Sequence, residues 1–163
     1  MSGTYQKGAI ALIWWNQYFH PDRPDARGIA ARLRRARSGV DVLMEPAGFD
    51  LARRLGIDDA DELLLIGTAL AHVTEHRPEK LPKLLGKGSD YRMSLPRFQL
   101  LLTCPRRDLA EQIRSAVEMA GSRMNVASLA SDLLDWGPAV HWRWCQDYEI
   151  KIEQPKKQKE VAE

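Results

Sequence analysis

Apolar side chains recur along this chain at three- and four-residue steps, and no segment alternates apolar and polar residues with period two for long. That pattern restricts the backbone to helices, because a half-buried strand shows its apolar face at every second residue. No Asn-Gly or Asp-Gly hairpin pair appears either. The expected fold class is all-α, with about seven to nine helices in two small helical bundles joined by a basic loop.

Prolines and glycines mark where the helices stop. The first helix is expected over 5–19, with Ile10, Ile13, Trp14 and Phe19 at helical spacing. His20-Pro-Asp-Arg-Pro24 ends it, since proline disfavours a helical residue before it. Asp25 can cap a second helix whose apolar stripe is Ile29, Leu33, Ala36 and Val40, ended by Ser38-Gly39. Pro46 opens a short helix closed by Gly56. Asp58 and Asp59 cap a helix over 60–76, and the acids Asp58, Asp59, Asp61 and Glu62 suit the positive end of its dipole. Residues 77–93 are interrupted by Pro78, Pro82, Gly86 and Gly88 and leave room for one short turn near 81–85. Ser94 caps the next helix, which Cys104-Pro105 ends. A helix over 106–120 follows, then one from the Asn125 cap to Trp136. Pro138 begins a final helix with Val140, Trp144, Tyr148 and Ile152 at four-residue steps. The expected organisation is an N-terminal bundle over 1–76, a basic linker over 77–93, a C-terminal bundle over 94–153 and a disordered charged tail over 154–163.

Charge is distributed unevenly. The 163 residues carry 24 Lys and Arg against 22 Asp and Glu, a net charge of only +2. Yet Arg27, Arg32, Arg34, Arg35 and Arg37 follow one another with no acid between them, and Asp90 is the only acid in 80–107. Such patches attract a polyanion even when the total nearly cancels.

The residues offer little to catalysis. His72 and His76 stand four apart, which on a helix would let them share a metal, but the HExxH pattern is missing. Leu85-Gly-Lys-Gly-Ser-Asp90 lacks the spacing of a phosphate-binding loop. No nucleophile-and-base arrangement stands out, so no enzyme, metal or cofactor is expected. Cys104 and Cys145 lack CxxC spacing and read as free thiols in a reducing cytosol. Residues 1–7 lack a secretory pattern, and the longest apolar run, 9–15, is too short to span a bilayer. A cytoplasmic protein without membrane association is expected. Trp144 falls on the apolar stripe of the last helix, whereas Trp142 falls off it and is a candidate surface contact.

Five ordered segments carry a resemblance. They are Trp14-Trp15, Arg27-Gly-x-x-Ala-x-Leu-Arg-Arg-Ala36, Ser94-x-x-Arg-Phe-x-x-Leu-Leu102, Asn125-Val-x-x-Leu-x-x-Asp-Leu-Leu-x-Trp136 and Arg143-Trp-x-x-Asp-Tyr148. In this order, over roughly residues 9–150, the chain resembles the CasB family, the small subunits of the type I-E CRISPR surveillance complex called Cascade. The resemblance implies a non-catalytic all-α protein of two bundles. It implies as partners the CRISPR RNA and target DNA, the crRNA-binding backbone subunits, the large subunit and a second copy of the chain. Basic surfaces would contact nucleic-acid backbone and stabilise the R-loop. Carried over by position, Arg34, Arg35, Arg97 and Arg143 match basic positions in the family's segments. Arg27, Arg32, Lys87, Arg92, Arg106, Arg107 and Arg114 are further candidates. Leu95-Pro96 stands where the family often has charged residues. The alternative is a helical scaffold whose arginines meet acidic protein surfaces without touching nucleic acid.

Overall fold

Two tryptophans tie the first helix to the rest of the chain. In the computed structural model, which describes residues 2–88 and 91–151, α1 spans Ser2–Phe19. Trp14 is fully buried and its indole N–H donates to the Ala47 carbonyl at 2.8 Å, on α4 (Pro46–Leu55). Trp15 donates to the Leu70 carbonyl at 3.2 Å, on α5 (Ala60–His72). Each ring is thus removed from water while its one polar atom stays satisfied.

α5 is the central helix. Leu63, Leu65, Ile66, Ala69 and Leu70 are all buried, and the helix packs against α2 (Ala26–Arg34), α3 (Gly39–Met44), α8 (Arg106–Met119) and α9 (Val126–Leu134). Its start is built as the sequence implies, with the Asp59 carboxylate accepting from the Glu62 N–H at 2.9 Å. Its end comes earlier than expected. The helix stops at His72, and Glu75–His76 forms a short strand, β1, parallel to β2 (Arg123–Met124). Thr74 N–H donates to the Ser122 carbonyl at 2.7 Å and Arg77 N–H to the Met124 carbonyl at 2.9 Å. A partner segment nearly fifty positions away supplies these bonds, and helical periodicity cannot report it.

The described residues form ten helices, one more than the upper end of the expected range. The added helix is α3. The arginine-rich helix ends at Arg34, and the Ser38 hydroxyl accepts from Asp41 N–H at 3.2 Å to start α3. Ile29 and Leu33 are buried as expected, but Val40 belongs to α3 and is 58% exposed, while Val42 enters the core. A Cβ on Gly48 would lie 2.0 Å from the Val42 carbonyl oxygen, so α3 and α4 touch backbone to backbone there. Asp25 occupies the N-cap position of α2 but makes no cap bond, because Arg23 holds its carboxylate at 2.6 Å.

The second half packs on the first. α9 lies along α1, and α8 lies along α5. α6 (Leu81–Leu85) buries Leu81, Leu84 and Leu85 and rests on α10 (Pro138–Tyr148). A Cβ on Gly86 would come within 2.1 Å of the Tyr148 carbonyl oxygen. α7 (Leu95–Thr103) contributes Phe98 and Leu101 to the core. Val140, Trp144 and Tyr148 form the buried stripe of α10. The Tyr148 ring is stacked between Phe98 at 3.9 Å and Tyr91 at 4.6 Å, and its hydroxyl donates to the Met93 carbonyl at 2.7 Å. Ile152 and the charged tail over 154–163 lie outside the described residues. No described helix is long and apolar enough to cross a membrane.

Candidate nucleic-acid interface

α2 is short, and its end is where the arginines gather. Arg34 donates through Nε to the Ala71 carbonyl at 2.7 Å, satisfying one of the open carbonyls in the last turn of α5. Arg35 and Arg37 follow in the turn before α3, both exposed. α8 packs on the other side of α5 and brings Arg107 and Arg114 toward them. Between the two sets runs a groove of about 700 Å³, with Leu64, Thr68 and His72 of α5 at its base. Among the described residues five arginines and the Glu111 carboxylate line it, and Glu118 stands beside its Arg114 edge. Arg114 is held by Glu111 and lies 3.4 Å from Glu118. The Arg37 backbone N–H donates to the Asp41 carboxylate at 2.9 Å, but the guanidinium groups of Arg35, Arg37 and Arg107 pair with no carboxylate among the described residues. Their charge is therefore available to an incoming anion.

A second depression of about 880 Å³ lies on the other flank of α2. Arg23, Arg27 and Arg34 border it, with Trp15, Phe19 and Val73 beneath. Arg34 thus borders both. Arg23 is paired with Asp25 and sits 4.8 Å over the Tyr18 ring, whereas Arg27 has no carboxylate partner among the described residues.

The other candidate cations have internal partners or stand apart from both depressions. Arg32 is 2.5 Å from Glu45, whose side chain is only 9% exposed. Arg143 donates to Asp132 at 3.0 Å, and Asp132 also accepts the Trp144 indole N–H at 2.8 Å. Arg92 donates to the Ala120 carbonyl at 2.7 Å, at the end of α8. Arg97 is exposed beside Met119, Arg106 lies 3.8 Å from Asp59, and Lys87 is exposed after α6. Of the candidates from sequence, the fold brings together Arg34, Arg35, Arg107 and Arg114. It adds Arg37, legible as part of the run without acids, and His72, which no sequence signal tied to an anion site.

His72 and His76 do not share a helical face. His76 lies in β1, and its Nδ1 accepts from Val126 N–H at 3.1 Å. No cluster of three or more metal-ligating side chains occurs among the described residues. His72 instead donates from Nδ1 to the Thr68 carbonyl at 2.7 Å, since a carbonyl can only accept. Burial pushes its pKa below the ordinary histidine value, and Arg34 and Arg114 push the same way. The Thr68 carbonyl and Glu118, 3.8 Å from Nε2, oppose them. The net result is a neutral imidazole at the base of a cationic groove.

The sequence matches a family model described as CRISPR-associated protein Cse2 over residues 9–148. No curated protein matches it. Among solved structures, a chain in E. coli Cascade bound to a PAM-containing double-stranded DNA target is similar in fold, with a TM-score of 0.65 and 18% identity. The match covers 85% of this chain and 93% of that one. At that identity the likeness concerns the fold alone.

Proposed function

The chain belongs to the Cse2 family of CRISPR-associated proteins, and from that we propose that it is the non-catalytic small subunit of a Cascade-type RNA-guided complex, holding nucleic-acid backbone in the groove between α2 and α8. The observation that carries this reading is the convergence of Arg34, Arg35, Arg37, Arg107 and Arg114 over α5, of which only Arg114 is paired with carboxylates, Glu111 and Glu118, among the described residues. Arginine suits the task. Its planar guanidinium forms paired hydrogen bonds with phosphate oxygens and never loses its charge. Neutralising phosphates releases condensed counterions, so binding is strong at low salt and indifferent to sequence. That is what an RNA-guided complex asks of such a subunit, because base pairing reads the sequence and protein holds the backbone. In this role the chain contacts the CRISPR RNA or target DNA and stabilises the R-loop.

A surface of a different character supports subunit contacts. Val40, Met44 and Phe49 are 58%, 70% and 55% exposed on α3 and α4. We assign these apolar side chains to protein neighbours in the complex, among them the backbone subunits, the large subunit and a second copy of the chain. The scaffold reading would give the arginines the same duty.

Reconstitution separates the two. A complex lacking this subunit is supplied with wild type or with an Arg35→Glu, Arg37→Glu, Arg107→Glu variant, and target-DNA affinity is measured. The proposal expects both to incorporate and only wild type to restore tight binding. Equal restoration would clear the groove of any nucleic-acid role. A variant that folds yet fails to incorporate would make the groove a protein interface.

A further inference from the structure

The His72 imidazole lies at the base of the groove. His72 Nδ1 is committed to the Thr68 carbonyl, which leaves the Nε2 lone pair as the only part of the ring able to respond to a ligand. The charged groups bearing on that ring are Arg34 from α2 and Arg114 and Glu118 from α8. Nε2 sits 3.8 Å from Glu118 Oε1, and that same oxygen lies 3.4 Å from Arg114 Nη1. Arg114 is bound to Glu111 as well. Glu111, Arg114 and Glu118 therefore form one chain of alternating charge that ends on the neutral His72 ring.

We infer that phosphate binding in this groove is proton-linked through His72, so that the chain grips a phosphate backbone more tightly below neutral pH than above it. The inference rests on the nucleic-acid reading of the same groove. A phosphate entering beside Arg34 and Arg114 neutralises the two cations that, after burial, keep a proton off the ring. Drawing Arg114 toward the phosphate also leaves the Glu118 carboxylate facing Nε2. One proton then passes from solvent to Nε2, where Glu118 or a phosphate oxygen accepts the new N–H bond. No other bond forms or breaks. A neutral ring contributes no charge to the bound state, and an imidazolium contributes one. Coupling of this kind is reciprocal: the factor by which phosphate favours the protonated ring is the factor by which protonation tightens phosphate binding.

The test uses the full chain and a mixed-sequence single-stranded oligodeoxynucleotide, whose phosphodiesters do not titrate near neutrality. Dissociation constants are measured at pH 6 and pH 8 at one ionic strength, for wild type and His72→Gln. The glutamine amide can still donate to the Thr68 carbonyl but cannot take up a proton. Wild type is expected to bind about tenfold tighter at pH 6 than at pH 8, within the limit of about a hundredfold that one linked proton sets over two pH units. His72→Gln is expected to show a ratio near one. NMR titration of the His72 ring should show its midpoint rising when the oligonucleotide is bound. Equal pH ratios for the two proteins, or a ring midpoint that the oligonucleotide leaves unmoved, would overturn the linkage while leaving the nucleic-acid reading intact. Failure of the oligonucleotide to bind at either pH would overturn both.

Discussion

Arg34 and Arg35 are adjacent in sequence and differ in duty. Arg34 satisfies a carbonyl at the end of α5 as well as bordering the groove, whereas the Arg35 guanidinium has no partner among the described residues. Replacing Arg34 by alanine should therefore cost about 1 kcal/mol of stability, the usual worth of such a hydrogen bond. Arg35→Ala should leave stability unchanged within about 0.5 kcal/mol, as exposed substitutions do. Both should weaken nucleic-acid binding. Urea denaturation alongside a binding isotherm checks the pair, and equal stabilities would remove the capping role of Arg34. The sequence displayed these arginines but not their partners. Arg34 meets a carbonyl 37 positions away, and Arg143 meets an aspartate that also serves Trp144. Pairing between helices depends on how they pack, and a one-dimensional pattern does not record that.

At the scale of elements, local chemistry was legible and non-local chemistry was not. The caps of α5 and α9, the left-handed Gly56 and the Pro138 start of α10 stand where the sequence put them. Each depends on residues within one turn. The break between α2 and α3 was missed because Ser38-Gly39 reads equally as an ending and as a beginning. The β1–β2 pairing was missed because its halves lie far apart in the chain. The groove belongs to the same class, since α2 and α8 face each other only across α5. The cap of α5 matters most among these elements, because it starts the helix that forms the groove's base. Asp59→Ala should destabilise the protein by about 1 kcal/mol. Asp59→Asn or Asp59→Ser should recover most of that, as measured by thermal melting. A melting temperature indifferent to all three would deny the cap its role.

For the whole molecule, the ring stack of Phe98, Tyr148 and Tyr91 joins α7, α10 and the segment after α6. Burial first, and the neighbouring Tyr91 second, push the Tyr148 pKa up from 10.0 to about 12. A pKa raised on folding means that the neutral phenol is favoured in the folded state. Its contribution is complete below pH 10 and is lost as pH rises from 10 through 12. Melting temperature should therefore hold steady between about pH 7 and 9 and fall above 10. Tyr148→Phe should be less stable at neutral pH, because the Met93 carbonyl loses its donor, and should show a shallower alkaline fall. Parallel alkaline curves for the two proteins would contradict this.

The central claim is that the groove between α2 and α8 holds phosphate. It is tested most directly by the salt dependence of target-DNA binding in the reconstituted complex, with wild type against Arg35→Gln, Arg107→Gln. Each lost phosphate contact should lower the slope of log affinity against log salt by about one, so the account predicts a decrease of about two. An unchanged slope, with the variant fully incorporated, would show that these arginines meet no phosphate.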